Sequence, residues 1–241
     1  MMAGDDVVPP GHDDVVKQWV AVSLTHVEYP KGDLIGQGLA WFSLLPFCII
    51  VAFITLIIFR RDLHTMCFLT GLLLDEAVNW VLKHVIREQR PITERVLYTE
   101  YGMPSSHAQF MWFFSIYLTF FLFIRVYTNY TWVDDLWKYA VSLGSFIISI
   151  IVCYSRIYLG YHTISQVFWG AASGFVLGVC WFGVVQLLLT PLFPHIASCH
   201  LGEFFMVRDS TLIPHVLWFE YTSSRTEARS RQRKMTARKS Q

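Results

Sequence analysis

An all-α, polytopic membrane helical bundle of about five spans is the fold class this sequence predicts, and three observations predict it. Of its 241 residues 54% are hydrophobic and only 15% charged, too apolar for an ordinary soluble domain of that length. Residues 39–59 form an uncharged run, which at about 1.5 Å of rise per residue extends about 30 Å, the thickness of a hydrocarbon core. Four further apolar segments follow, and the ionisable residues collect in the short junctions between them.

Taken in order, residues 1–38 precede the first apolar run and begin with Asp5, Asp6, Asp13 and Asp14, an acidic N-terminal segment. No basic start, short apolar stretch and small-residue cleavage site come together there, so the first span is expected to act as the insertion signal. That span ends at Arg60, Arg61 and Asp62. The second, about 64–87, is interrupted by Asp75, Glu76, Asn79 and Lys83. Asp75, Asn79 and Lys83 recur at i, i+4 and i+8, so a helix gathers them into one stripe and leaves its other faces to lipid or packing. Spans three, four and five are expected at about 106–123, 136–153 and 165–189, which gives a transmembrane bundle over residues 39–190. Residues 191–241 hold Pro191, Pro194 and Pro214, an aromatic stretch at 216–221, and a tail with Arg225, Arg229, Arg231, Arg233, Lys234, Arg238 and Lys239. They read as loops, an interfacial helix and a basic tail. There is no internal repeat.

Charge fixes the expected orientation. In a five-span arrangement Arg60, Arg61, Arg125, Lys138 and the basic tail fall on one side, and positive residues stay cytoplasmic. The acidic N-terminus then faces the other compartment. The net charge of +1 therefore speaks of orientation, and no nucleic-acid partner is expected. Asn129-Tyr130-Thr131 matches a glycosylation acceptor but falls on the cytoplasmic side, where it would go unused. The five cysteines are scattered without CxxC spacing and read as packing residues.

The non-cytoplasmic junctions contain the chemistry. They are the end of span two, with Lys83, Arg87, Glu88, Arg90 and Pro91; the start of span three, with Pro104, Ser105, Ser106 and His107; and the turn from span four to span five, with Ser155, Arg156, His162 and Gln166. Lys83, Arg90 and Arg156 converging at a membrane boundary need an anion, because such charges are costly to desolvate alone. Phosphate fits best, since guanidinium forks bind its oxygens in pairs and the ammonium adds a movable charge. Ser105, Ser106 and the helix N-terminus add donors. Two histidines complete the kit for phosphoryl transfer without a metal: one attacks phosphorus, the other protonates the departing oxygen. Taken singly, each residue has an ordinary explanation. Arg60, Arg61, Arg87 and Arg125 read as snorkelling anchors, His64, His84, His195, His200 and His215 as surface or packing residues, and aromatic runs such as 111–114 as lipid-facing surface.

These motifs resemble the signature of the type 2 phosphatidic acid phosphatase (PAP2) superfamily: Lys, six residues, Arg-Pro; then Pro-Ser-Gly-His; then Ser-Arg, five residues, His, three residues, Asp. Lys83, Arg90 and Pro91 match the first element; Pro104, Ser105 and His107 the second, with Ser106 at the glycine; Ser155, Arg156 and His162 the third. The resemblance implies a PAP2/haloperoxidase-like core with His162 as nucleophile, His107 as general acid, and Lys83, Arg90, Ser105, Ser106 and Arg156 as phosphate-binding residues, with no metal and no cofactor. One position departs: Gln166 stands where the family aspartate orients the nucleophile. An amide oxygen still accepts the imidazole N–H but stabilises an imidazolium less than a carboxylate does. Gln166 is therefore expected to orient His162, with Asp75 or Glu76 supplying negative charge; a purely structural role for Asp75, neutralising Lys83, is the alternative.

Beyond these motifs, residues 24–30, 101–107, 109–114 and 216–221 resemble a branch of the superfamily that acts on dolichyl diphosphate, a polyisoprenoid diphosphate lipid, and the likeness runs from about residue 23 to 234. It implies a multi-pass enzyme of the endoplasmic-reticulum membrane with a lumenal site, returning the lipid carrier to protein N-glycosylation. Two other readings stand beside it: a phosphatase of broader lipid or prenyl diphosphate specificity, and a non-catalytic membrane scaffold on the same fold. No protein partner is indicated.

Overall fold

The computed structural model describes residues 19–21, 27–91, 101–126, 132–211, 213 and 215–239. The acidic residues Asp5 to Asp14 and the Asn129-Tyr130-Thr131 acceptor lie outside them. Five helical stretches are long and apolar enough to cross a membrane, at 34–60, 63–86, 106–125, 135–158 and 164–198.

An antiparallel ribbon, unforeseen in the sequence, leads into the first span: β1 (Trp19–Ala21) pairs with β2 (Glu28–Pro30) in the register Val20 opposite Tyr29. Asp33 then starts α1 (Leu34–Phe42), its carboxylate accepting from the N–H groups of Ile35 and Gly36, so the span begins five residues before the expected 39. A break at Ser43-Leu44 precedes α2 (Leu45–Arg60), which carries Pro46 in its first turn, where proline lacks only an N–H that has no helical partner. The apolar side chains Phe47, Val51, Ile54 and Ile58 stand exposed along it, as a lipid-facing helix requires.

Asp62 caps α3 (Leu63–Ile86) by accepting from Thr65 N, and Arg87, at φ 55°, closes it. Next come α4 (Ser106–Phe120), continued by a π-helical turn over Phe121–Arg125, and α5 (Trp132–Tyr158). The fourth span runs beyond the expected 153 because helix continues through Arg156 to Tyr158, and the turn that follows closes on Gly160 at a φ of 74°. Finally α6 (Ile164–Val184) passes through π and 3₁₀ turns into α7 (Phe193–Ser198), followed by α8 (His200–Phe204) and α9 (Val216–Lys239).

The bundle is built around α4, whose Phe110, Met111, Phe113 and Tyr117 are buried with Leu72 of α3, Val152 of α5 and Phe182 of α6. Three glycines one helical turn apart let α6 lie directly on α4. A Cβ at Gly170 would stand 2.6 Å from Ser105 O, one at Gly174 2.1 Å from Gln109 O, and one at Gly178 3.1 Å from Phe113 O. A buried polar knot adds direction to this packing. Gln109 donates to Asp75 Oδ1 (3.0 Å) and to its carbonyl (2.9 Å), while its own Oε1 accepts from Asn79 (2.9 Å) and Ser173 (2.9 Å).

The opposite end of the bundle is closed by the C-terminal segment. Glu220 of α9 bridges Arg60 and Arg208, and the backbones of Arg61 and Leu63 bond that of Arg208. Arg125 donates to Thr190 Oγ1 (2.6 Å), and Lys138 to Val126 O (2.7 Å).

Candidate active site

The ends of α3 and α5 and the starts of α4 and α6 meet at one end of the bundle, the end away from Arg60, Arg61, Arg125 and Lys138. Lys83, Arg90, Ser105, Ser106, His107, Arg156, His162 and Gln166 lie there. His107 and His162 are within electrostatic range of each other, and both of Arg156 and Lys83; Arg90 acts on His162 and Arg156.

A tight turn sets His162. Beyond Gly160 the N–H groups of Tyr161 and His162 fold back on Arg156 O (3.0 and 3.2 Å), so the guanidinium and the imidazole are held on one short loop. The imidazole is 3% exposed, and its Nδ1 lies 3.0 Å from Gly102 O and 3.2 Å from Gln166 Oε1. Both partners only accept. Nδ1 therefore carries the proton, and Nε2, across the ring, carries the lone pair. Burial first, then Arg156 and Arg90, push the His162 pKa down to about 3, so the ring is neutral at ordinary pH.

Gln166 is completely buried and fully engaged. Its Oε1 accepts from His162 and from Thr163 N (3.3 Å); its Nε2 donates to Glu88 Oε1 (2.8 Å) and Gln89 O (2.9 Å). The reciprocal bond, Gln166 N to Thr163 Oγ1 at 3.2 Å, completes a capping box, so the residue that starts α6 also seats the imidazole. Asp75 and Glu76 contribute differently from expectation. Asp75 is bound to Gln109 within the bundle, while Glu76 interacts with the charge of Lys83; the charges acting on His162 are Arg156, Arg90 and Lys83.

His107 stands in the first turn of α4 beside the Ser43 backbone, with the Phe47 ring edge-on at 6.3 Å. The break between α1 and α2 thus supplies the wall against which this histidine rests. Ser155, a motif residue, bonds Ser43 Oγ (3.0 Å) and Val152 O (2.7 Å), tying α5 to the same break.

The anion-binding expectation meets a specific observation. Arg156 is 5% exposed, yet its Nε and Nη1 are buried with no hydrogen-bond partner among the described residues, and the same holds for Ser105 Oγ. Ser105 occupies the N-cap of α4 but does not cap it with its side chain, although serine there usually does. Ser106 opens the helix, where amide N–H groups without helical acceptors point outward. Buried donors of this kind cost about 1–3 kcal/mol each unless an acceptor arrives, and a phosphoryl oxygen is such an acceptor. Among the described residues no three His, Cys, Asp or Glu side chains gather where they could hold a metal ion.

Three residues of this site were given no role by the sequence reading. Gly102 supplies the first carbonyl to His162, and a Cβ there would lie 2.9 Å from both amide atoms of Gln166. Tyr161 stacks on Arg156, the guanidinium carbon 4.3 Å from its ring centre, and its hydroxyl accepts from Glu28 N at 2.8 Å. Glu88 grips Gln166. None carries a spacing signal: one acts through its backbone, one through its ring face, and one through another side chain.

Comparison with known proteins finds a matching family and several relatives. The family described as the PAP2 superfamily matches residues 64–189. Dolichyldiphosphatase 1 of Mus musculus is 53% identical over 229 residues, covering 93% of this chain and 96% of the relative, and that of Homo sapiens is 52% identical over the same spans. A lipid phosphate phosphatase gamma of Arabidopsis thaliana is 39% identical, over 88% of this chain and 94% of its own. Among solved structures, a transmembrane PAP2 type phosphatidylglycerolphosphate phosphatase from Bacillus subtilis shares the fold, with a TM-score of 0.54 at 21% identity over 66% of this chain and 80% of that one.

Proposed function

The chain belongs to the PAP2 superfamily, and from that premise we propose that it hydrolyses dolichyl diphosphate to dolichyl monophosphate and inorganic phosphate through a phosphohistidine at His162. The observation that carries the reaction is the tautomer: with Nδ1–H committed to Gly102 O and Gln166 Oε1, Nε2 presents a neutral lone pair beside Arg156 and His107. The substrate assignment rests on the 53% identity to dolichyldiphosphatase 1.

Lys83, Arg90, Arg156, Ser105, Ser106 and the N-terminus of α4 hold the terminal phosphoryl group. Nε2 of His162 attacks its phosphorus, the bond from phosphorus to the bridging oxygen breaks, and His107 donates a proton to the departing dolichyl monophosphate. His107 then takes a proton from water as that water attacks the phosphohistidine, releasing phosphate and restoring the imidazole. The converged cations stabilise charge on the equatorial oxygens in both steps. Each role uses side chains of this chain alone, and hydrolysis in excess chelator is expected to match that in its absence.

His162→Asn is expected to lower turnover at least a thousandfold while leaving a folded protein, and brief mixing of the wild-type enzyme with substrate labelled in the terminal phosphate should label a histidine. Residual activity within tenfold of wild type, or label on another residue, would overturn the nucleophile assignment. The 39% identity to a lipid phosphate phosphatase favours one second reading, a broader lipid specificity. A panel of prenyl diphosphates and phosphatidate, compared by kcat/KM, separates the two.

The enzyme is proposed to work in the endoplasmic-reticulum membrane with its site in the lumen, so that the monophosphate re-enters the carrier pool for protein N-glycosylation. What supports the orientation is the clustering of Arg60, Arg61, Arg125, Lys138 and the basic α9 at the end of the bundle away from His162.

A further inference from the structure

We propose that Glu88 is a positioning residue for this reaction, supplying through Gln166 the negative charge that a directly bonded carboxylate would otherwise place behind the nucleophilic histidine. The inference rests on the proposed role of His162 and adds a residue that the motif does not contain.

The geometry is a chain of three side chains. His162 Nδ1 donates to Gln166 Oε1 (3.2 Å), and Gln166 Nε2 donates to Glu88 Oε1 (2.8 Å). The amide's direction is dictated at both ends. Its nitrogen faces two acceptors, Glu88 Oε1 and Gln89 O, and its oxygen faces two donors, Thr163 N–H and His162 Nδ1–H. A reversed amide would set like against like at four contacts.

Chains of this kind polarise along their length: a carboxylate drawing on one end of an amide makes its oxygen a stronger acceptor at the other. In the phosphohistidine the imidazole holds phosphorus on Nε2 and a proton on Nδ1, so it is cationic, and that cation is what a stronger acceptor stabilises. The carboxylate is already seated. Gly102 N donates to the Glu88 backbone carbonyl (2.6 Å), so the carbonyl that accepts from His162 Nδ1 and the Glu88–Gln166 pair beside it are fastened to each other. Glu88 also lies on the exposed rim of the site, while the imidazole is buried.

The test is a double-mutant cycle with the full-length protein in lipid nanodiscs and dolichyl diphosphate as substrate. Glu88→Gln keeps the side chain's length and one acceptor oxygen but removes the charge; it is expected to lower kcat about tenfold with KM within twofold of wild type, and to reduce the amount of labelled phosphohistidine that can be trapped. In a Gln166→Asp background, where a carboxylate meets Nδ1 directly, the same Glu88→Gln change is expected to cost less than twofold. An unchanged kcat in the single variant overturns the proposal. So does an equal loss in both backgrounds, since a structural role does not depend on residue 166. Should Gln166→Asp fail to fold, the single variant's division between kcat and KM and its phosphohistidine yield decide alone. His162→Asn is run in parallel: full activity there defeats the phosphohistidine reading itself, whereas an inert His162→Asn with an unaffected Glu88→Gln defeats only the role of Glu88.

Discussion

Gly102 illustrates what a spacing motif leaves out at the scale of single residues. Its contribution is a backbone carbonyl 3.0 Å from His162 Nδ1, and it must lack a side chain because a Cβ would press on Gln166 at 2.9 Å. Gly102→Val is therefore expected to behave as a defect of the nucleophile, with kcat reduced tenfold or more and little change in KM, measured on detergent-solubilised protein. Lys83, Arg90, His107, Arg156 and His162 were legible in the sequence because each reaches the site with its own charged or titratable head. Gly102 and Tyr161 were not, because a carbonyl and a ring face are not properties of residue type. The pH response follows from the same burial. His162 titrates near 3 in the folded protein against an ordinary 6.5, so between those values the unfolded chain binds more protons. Stability is whole above about 6.5 and is lost as pH falls towards 3, and thermal unfolding at pH 4.5 should move up when vanadate, a phosphate mimic, gives the site an anion. His162→Asn should lose most of this acid sensitivity.

At the scale of the elements, hydropathy located all five spans but misjudged their ends. A helix is bounded not where its residues turn polar but where a cap or a positive φ bounds it: Asp33 and Asp62 start α1 and α3, while Arg87 and Gly160 follow the ends of α3 and α5. The seam between α4 and α6 could have been read from Gly170, Gly174 and Gly178, a four-residue period of the smallest side chain, although nothing in that period names the partner helix. Gly174→Leu would drive a side chain into Gln109 O, 2.1 Å from the Cβ position, and is expected to prevent the two helices from meeting. Size-exclusion chromatography should then find the variant aggregated, while Gly183→Leu, at a position with open space around it, should run as the wild type does. The stripe of Asp75, Asn79 and Lys83 was visible as a stripe, yet it divides between two tasks. Its lower two members join Gln109 inside the bundle, and Lys83 alone of the three enters the site.

For the whole molecule, connectivity performs the assembly. Helices that alternate in direction bring the end of α3, the start of α4, the end of α5 and the start of α6 to one boundary, so three motifs far apart in the chain become neighbours. At the other end a separate clasp joins Glu220 to Arg60 and Arg208. Glycosylation acceptors engineered one at a time should report the orientation: one in the 31–33 turn before α1 should be modified in microsomes, and one after Lys239 should not. The reverse pattern would turn the site towards the cytoplasm. The hydroxyl of Tyr161 has a practical corollary here. Because it holds the amide of Glu28 while its ring braces Arg156, the first strand ribbon and the guanidinium share a fastener. Fluorophores, affinity tags or deletions introduced just ahead of Glu28 should thus perturb turnover from a distance, and labels intended to be silent belong on the opposite terminus.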